Sequence, residues 1–228
     1  MDTIKTIREH KGKSLIEFPD DYVIIAIETT GFNPKNNEII EIGAVKVHDN
    51  KITSIFQSLV RPTNPINPYI SNLTGLSNNM LADANPIGAV LDSFVSFAGD
   101  TVIIGHNVNF DINFLYDHCE TYLLHHLSND FIDIRELLRK QQSSVENHKL
   151  LTLCEKCAIQ NTNAHRALSD CLAANNLYQS LKLHNRPITC VDELDTLNLA
   201  SEFKMKHSPY KKKCQVQEAT SDKSLRIS

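Results

Sequence analysis

Three acidic residues lie in apolar surroundings in this sequence, where a charged side chain is costly to bury. Glu28 falls inside the β-branched run YVIIAIET, Asp111 follows GHNVNF, and Asp170 lies within HRALSDCLAANNLY. Several carboxylates buried in one domain need a cation to balance their charge. Their hard oxygen atoms suit Mg²⁺ or Mn²⁺. These residues therefore predict a divalent-metal site built from Glu28, Asp111 and Asp170.

The residues around each acid place it where an element ends or begins. Glu28 ends a predicted strand and is followed by a turn at Gly31, and Asp111 opens a predicted helix. His165 precedes Asp170 by five residues in HRALSD. An imidazole next to a metal site can accept a proton at neutral pH. The pattern therefore adds a candidate general base to the three carboxylates.

The segments IETTG, GHNVNFD and HRALSD together resemble the three motifs of the DEDDh 3′→5′ exonucleases, in order and in spacing. This superfamily includes the proofreading epsilon subunit of bacterial DNA polymerase III and has an RNase H-like fold. The resemblance covers about residues 20–185. It implies that Glu28, Asp111 and Asp170 are catalytic ligands of two divalent ions, Mg²⁺ or Mn²⁺, and that His165 deprotonates the attacking water. Two such ions stabilise both the attacking and the leaving oxygen at phosphorus.

The first motif departs from the family at one position. The family motif is D-x-E-x-T-G, whereas this chain has alanine at the first position, Ala26, followed by I-E-T-T-G. Residues two apart on a strand point to the same face, so an acid at position 26 would converge with Glu28 on one metal centre. Alanine has no ligand atom. We therefore expect the chain as given to be nearly inactive.

Two origins would account for Ala26. It is either an engineered Asp→Ala substitution or the mark of a natural, catalytically dead protein. The other three acids and His165 are all present, and a drifting pseudoenzyme has no reason to retain them. We therefore favour the engineered substitution.

The resemblance also implies residues that contact the 3′-terminal nucleotide. The turn after the first strand, the segment ISNLTGL and the start of the second motif supply them: Thr29, Thr30, Gly31, Phe32, Leu73, Thr74, His106, Asn107 and Phe110. Simpler interpretations stand beside these roles. Phe32 would then be an exposed aromatic of an ordinary turn, residues 70–76 a plain loop, and His106 and Asn107 a cap for the following helix.

The hydrophobic pattern predicts the elements that would position these residues. Strands are expected at residues 22–29, 38–48, 51–60, 101–105 and 131–134, and helices at 85–98, 109–126, 134–142, 149–158 and 166–184. Short connections between the first three strands indicate an antiparallel meander. We expect an α/β, RNase H-like fold: a mixed five-stranded sheet flanked by helices.

Composition sets the boundaries of the domain. The chain of 228 residues suits one domain with extensions, which we divide into residues 1–19, an exonuclease domain at 20–185 and a basic, partly disordered extension at 186–228. Five lysines and no acid in residues 204–213 suggest a phosphate backbone or a protein partner, or simply a solvated tail. No apolar run is long enough to span a membrane, and no signal sequence is visible. We therefore expect a cytoplasmic protein with no membrane contact.

The predicted function is metal-dependent 3′→5′ hydrolysis of nucleic acid to nucleoside 5′-monophosphates. The partner would be nucleic acid with a free 3′ end, and we favour single-stranded or 3′-overhang DNA. The net charge of −4 argues neither for nor against such a partner, because a local patch or bound metal can reverse the field. The alternatives are a dead nuclease fold that only binds nucleic acid and an exoribonuclease acting on short RNA.

Overall fold

The computed structural model describes residues 7–140, 147–161, 163–184 and 215–218. The strands are β1 (Tyr22–Thr29), β2 (Ile39–His48), β3 (Lys51–Leu59), β4 (Ile103–Gly105), β5 (Phe131–Asp133) and β6 (Gln215–Glu218). The helices are α1 (Pro68–Thr74), α2 (Asn78–Ala82), α3 (Ile87–Ala98), α4 (Val108–Leu123), α5 (Ile134–Lys140), α6 (Leu150–Lys156) and α7 (Ala167–His184).

The strands form one mixed sheet in the order β5-β4-β1-β2-β3-β6. β1 pairs antiparallel with β2 and parallel with β4, and β4 pairs parallel with β5. The carboxyl ends of these three parallel strands therefore meet at one edge of the sheet, where the three predicted motifs also lie. The predicted five-stranded mixed sheet flanked by helices is confirmed.

Side chains of β1 alternate between two apolar layers, as the period of a strand requires. Val23, Ile25 and Ile27 pack in one layer, which also contains buried side chains of α3 and α4. Tyr22 and Ile24 pack in the other, against buried side chains of α5, α6 and α7, and Ala26 joins this second layer. The alternation places position 28 on the same face as Ala26, towards α7.

The structure corrects the expectations in three places. Residues 215–218 form β6, which pairs antiparallel with β3, so the sheet has a sixth strand where we expected disorder. Residues 70–76, for which a plain loop was the simpler interpretation, are largely helical, because they lie in α1, which Asn67 caps. The second-motif helix α4 ends at Leu123 rather than near His126. Residues 191–203, whose sequence could form a short amphipathic helix, lie outside the described residues.

The described part of the N-terminal segment packs against the domain. Backbone hydrogen bonds join Lys13 and Leu15 to Phe131 on β5, at 2.9 and 2.8 Å. Arg8 donates two side-chain hydrogen bonds to Asp117 on α4, at 2.6 and 2.7 Å. This segment therefore borders the outer edge of the parallel strands. Within the described ranges, no helix combines the length and apolar character needed to cross a membrane.

Candidate active site

Strand β1 presents Glu28 at the edge of the sheet where the predicted motifs meet. Glu28 is partly buried, and its Cα partner on β2 is Glu41. A register shift between Glu28 and Thr29 marks the end of regular pairing. Ala26 lies one pleat earlier, opposite Gly43. The predicted shared face of positions 26 and 28 is therefore what the structure shows.

Asp111 reaches the same site from the first turn of α4. Its side chain is buried, and its Oδ1 accepts a hydrogen bond from the backbone N–H of Ile27 at 3.0 Å. This bond ties the start of α4 to β1 directly next to Glu28. The spacing of GHNVNFD produces this contact, because β4 ends at Gly105 and α4 begins three residues later at Val108.

His165 lies just before α7, and Asp170 lies in the first turn of that helix. Asp170 accepts hydrogen bonds from Nδ2 of Asn161 at 2.8 Å and from the backbone N–H of His165 at 3.3 Å. His165 is exposed, and its positive φ of 63° belongs to a tight turn. One ligand atom from each of Glu28, His165 and Asp170 lies within 4.8 Å of the other two. The structure thus brings the first and third motifs together.

The carboxylates are electrostatically coupled. Burial, followed by the charges of Asp170, Glu41 and Asp111, raises the pKa of Glu28 to about 8. Burial also raises the pKa of Asp111 well above its usual range and raises the pKa of Asp170. Crowded, partly desolvated carboxylates resist ionising together unless a cation neutralises them. The oxygen-rich donor set and this shared repulsion fit a divalent metal.

The first turn of α7 packs unusually closely on β2. A Cβ added at Gly43 would lie 2.6 Å from the backbone carbon of Ala167 and 2.6 Å from the backbone nitrogen of Leu168. Cys171 also donates from Sγ to the backbone oxygen of Gly43 at 3.2 Å. This close approach holds the Asp170 turn against the strand pair that carries Ala26 and Glu28.

Sequence reasoning missed one buried acid, Glu41. Its side chain is fully buried and accepts hydrogen bonds from Nε and Nη2 of Arg166 at 3.1 and 2.9 Å, and from the backbone N–H of Ala167 at 3.2 Å. Gln57 adds a fourth hydrogen bond at 2.9 Å. The signal was present in the sequence, because Glu41 interrupts an apolar strand in the same way as Glu28 does. Its counter-charge is a protein cation rather than a metal.

The turn after β1 is locked by its own hydrogen bonds. Thr29 Oγ1 donates to the backbone oxygen of Gly31 at 2.6 Å, and Thr30 Oγ1 accepts from the backbone N–H of Glu38 at 2.9 Å. Phe32 then projects from the turn with 84% of its surface exposed. The structure therefore places the Phe32 ring at the surface.

Of the two predicted contact residues on helix α1, only one is exposed at the surface. Leu73 is 38% exposed, whereas Thr74 is 2% exposed. The Thr74 hydroxyl donates to the backbone oxygen of Ile70 at 2.9 Å and accepts from the backbone N–H of Leu76 at 3.2 Å. Thr74 therefore holds the end of α1 in place, and Leu73 presents its side chain at the surface.

At the start of the second motif, the backbone is held by hydrogen bonds other than a side-chain cap. Asn107 occupies the N-cap position of α4 with a φ of 63°, and its side chain makes no capping hydrogen bond. Its backbone N–H instead donates to Asp133 Oδ1 at 2.9 Å. His106 Nε2 lies 2.6 Å from the backbone oxygen of His148, and Phe110 is half-buried against Phe114 with ring centroids 4.9 Å apart. Asn107 therefore occupies the cap position of the simpler interpretation, but without a side-chain capping hydrogen bond.

A family model for exonucleases matches residues 23–178, which span every element from β1 to most of α7. This chain belongs to the RNase_T exonuclease family. The matched region contains Ala26, Glu28, Asp111, His165 and Asp170. The membership agrees with the resemblance drawn from the three motifs.

Curated relatives of this RNase_T member include DNA polymerases III of the PolC type. The chain is 35% identical over 200 residues to the PolC-type polymerase of Caldanaerobacter subterraneus subsp. tengcongensis, and the aligned region covers 87% of this chain. It is 36% identical over 152 residues to that of Bacillus subtilis. The chain spans only 14% and 11% of these two proteins. The likeness is therefore to one part of much longer polymerases.

Solved structures share the fold at lower identity. Escherichia coli exonuclease I in complex with a dT13 oligonucleotide has a TM-score of 0.63 at 17% identity, over 72% of this chain and 41% of that one. Exonuclease X in complex with 5′ overhanging duplex DNA has a TM-score of 0.56 at 24% identity, over 76% of this chain and 98% of that one. These similarities support the α/β fold of this RNase_T domain.

Proposed function

We propose that this domain is a metal-dependent 3′→5′ exonuclease whose given sequence lacks one metal-binding carboxylate, at Ala26. The observation that carries the proposal is the convergence of Glu28, His165 and Asp170 within 4.8 Å. Asp111 joins them through its bond to the neighbouring residue Ile27. Family membership supports hydrolysis of a phosphodiester as the reaction.

Metal binding, proton transfer and orientation of the ligands would each be carried out by different residues of this chain. Glu28, Asp111 and Asp170 would hold two divalent ions, Mg²⁺ or Mn²⁺. When bound, such ions neutralise developing charge on the phosphate and activate water. His165 is exposed at the rim and would take the proton of the attacking water. Asn161 and the His165 N–H orient the Asp170 carboxylate from outside.

A terminal nucleotide would be held on the β2 side of the carboxylates. The turn Thr29–Phe32 leads from the end of β1 towards β2 there, and Phe32 would stack on a base. Leu73 is exposed on α1, whose Ile70 packs in one cluster with Ile40 of β2. The substrate we favour is single-stranded or 3′-overhang DNA. The fold relative exonuclease I, seen with a dT13 oligonucleotide, supports a single-stranded substrate. RNA is the alternative substrate.

Alanine at position 26 removes one ligand from the face that Glu28 shares. The remaining carboxylates would still attract a cation, but fewer charges and a missing ligand would weaken its hold. A binding protein built on a dead nuclease fold is therefore the second candidate, and Ala26 is the specific observation in its favour. A partner for the C-terminal extension stays a prediction, because of that segment only 215–218 are described.

Restoring the carboxylate with Ala26→Asp tests the proposal. A 5′-labelled single-stranded oligonucleotide would be incubated with the variant and Mn²⁺, and the products resolved by length. A ladder shortening from the 3′ end, with release of nucleoside 5′-monophosphates, is the expected result. Internal cuts or release from the 5′ end would contradict the assigned polarity. Ala26→Asn serves as the matched control, since it has similar size and no charge.

A further inference from the structure

Three segments are tied together beside the carboxylates, at the carboxyl ends of β4 and β5. Asp133 Oδ1 accepts hydrogen bonds from the backbone N–H groups of Asn107 and Arg135, both at 2.9 Å. His106 Nε2 contacts the backbone oxygen of His148, just before α6, at 2.6 Å. These bonds hold the turn before α4, the start of α5 and the approach to α6 in one fixed arrangement.

Two side-chain nitrogens in this arrangement are buried without a hydrogen-bond partner. They are Nε of Arg135 and Nε2 of His148, and the statement applies to the residues that the structure describes. Unpaired buried polar atoms are rare in native proteins, because desolvation is then uncompensated. His148 contacts His106 through its backbone oxygen. Arg135 shares the Asp133 carboxylate with Asn107, the residue after His106. Arg135 and His148 therefore flank one small region rather than two separate ones.

The charge of this region comes from Arg135. Burial is the main cause that lowers the pKa of His106 to about 4, so His106 is neutral at pH 7 and does not add a charge. Arg135 forms no ion pair with a carboxylate in the described part of the chain, although Asp133 is nearby. Arg135 as a whole is only partly buried, and a planar guanidinium that reaches the surface matches the oxygen atoms of a phosphate. His148 is likewise only partly buried, and its ring would supply a further polar contact.

The sheet order places this region opposite the predicted terminal-nucleotide pocket. β4 and β5 lie on one side of β1, whereas β2 and the Thr29–Phe32 turn lie on the other. A strand whose last nucleotide rests near Phe32 would cross the carboxylates and continue towards β4. We propose that Arg135 and His148 form a subsite that binds a backbone phosphate of the nucleic-acid strand behind its 3′ end. This inference rests on the proposed function and adds the path that the substrate strand would take behind its 3′ end.

The test measures binding rather than cleavage, so the chain with Ala26 can be used as it stands. The affinity for a short 5′-fluorescein-labelled oligodeoxythymidine would be measured by fluorescence anisotropy over a range of KCl concentrations. For Arg135→Gln we expect about tenfold weaker binding, the effect of losing one charged hydrogen-bonded contact. The slope of log affinity against log salt should fall by about 0.7, as expected for one phosphate contact on a single strand.

Arg139→Gln is the matched control. Arg139 lies on the same helix, is exposed and pairs with Glu136, so its loss should change the affinity by less than twofold. A second variant, His148→Asn, should also weaken binding. It tests the subsite at a residue other than Arg135. A thermal melt of each variant establishes that it folds, and Arg135→Met, which also removes the charge, replaces Arg135→Gln if the latter does not fold.

The outcomes separate this inference from the proposed function. If the chain binds the oligonucleotide but Arg135→Gln and His148→Asn behave like Arg139→Gln, the subsite is overturned and the proposed function stands. If the chain binds neither oligodeoxythymidine nor oligouridine, the proposed function fails and the subsite fails with it. Selective loss at Arg135 and His148, with the reduced salt slope, supports both.

Discussion

Glu41 holds the guanidinium of Arg166 through two hydrogen bonds, at 3.1 and 2.9 Å, with its own carboxylate fully buried. Arg166 lies directly between His165 and the start of α7. The same carboxylate also accepts from the first backbone N–H of α7, at Ala167. One buried acid on β2 therefore fixes the segment that carries both the candidate base and Asp170.

Glu41→Gln should destabilise the fold, because it leaves the Arg166 guanidinium without its counter-charge. We expect a loss of about 3 kcal/mol in the free energy of unfolding, the lower end for breaking a buried pair, since 23% of the Arg166 side chain remains exposed. Urea denaturation measures it. Glu136→Gln is the control, because it breaks the exposed pair with Arg139 and should cost less than about 1 kcal/mol. Equal effects of the two variants would contradict the account.

Gly43→Ala should push the first turn of α7 away from β2. The new Cβ would meet backbone atoms of Ala167 and Leu168 at 2.6 Å, and backbone cannot rotate aside as a side chain does. We expect destabilisation of about 1–3 kcal/mol or more, measured by thermal or urea unfolding. Gly88→Ala in α3 is the opposite case, because only Tyr122 lies near, at 4.0 Å. It should gain about 0.5–1 kcal/mol from helix propensity. A neutral Gly43→Ala would show that the close packing is not required.

The metal-free protein should lose stability as the pH rises. The pKa of Glu28 is raised in the folded state to about 8 from an ordinary value of 4.5, so folding binds a proton between these limits. This contribution is fully present below about pH 4.5 and disappears as the pH passes 8. Asp170, whose pKa is also raised, acts in the same direction.

Melting temperatures recorded in EDTA from pH 5 to pH 8.5 would measure this dependence. Glu28→Gln should flatten the profile, because the amide does not ionise. Added Mn²⁺ should restore stability most strongly at the higher pH values, where the carboxylates are free to bind it. A profile that is unchanged by both Glu28→Gln and Mn²⁺ would argue against a metal site at these acids.

Phe32→Ala should weaken nucleic-acid binding without changing the fold. Its ring is 84% exposed, so little packing is lost, whereas a stacked base contributes about 1–3 kcal/mol. Anisotropy with a single-stranded oligonucleotide measures the loss. Leu183→Ala, at an exposed position near the end of α7, should leave binding unchanged. If Phe32→Ala binds as well as the parent chain, Phe32 is only an exposed turn residue.

Local patterns predicted the parts of the site that depend on local geometry. The two-residue period of a strand places Ala26 and Glu28 on one face, and the structure confirms it. The meander and the strands β1 to β5 follow from apolar runs and short turns. Asp133 has a structural role, because its Oδ1 accepts hydrogen bonds from the backbone N–H groups of Asn107 and Arg135.

What sequence reasoning missed depends on contacts between distant residues. Glu41 becomes a site-forming residue only because Arg166, 125 positions away, reaches it. β6 forms by pairing with β3, and nothing in its own short, polar sequence QVQE indicates a strand. The buried setting of Thr74 likewise follows from how α1 packs, since the spacing of ISNLTGL alone does not reveal which face is covered.

The comparison of this chain with Ala26→Asp tests the central claim most directly, namely that Ala26 is the one missing part of a metal-dependent nuclease site. Both proteins would be incubated with single-stranded DNA and RNA of equal length, with and without Mn²⁺, and cleavage rates compared. We predict Mn²⁺-dependent shortening from the 3′ end by Ala26→Asp, at a rate at least about 100-fold above the given chain, and loss of that activity in the double variant Ala26→Asp with Asp111→Asn. Strong cleavage by the chain with Ala26, or no cleavage by either protein, would contradict the account.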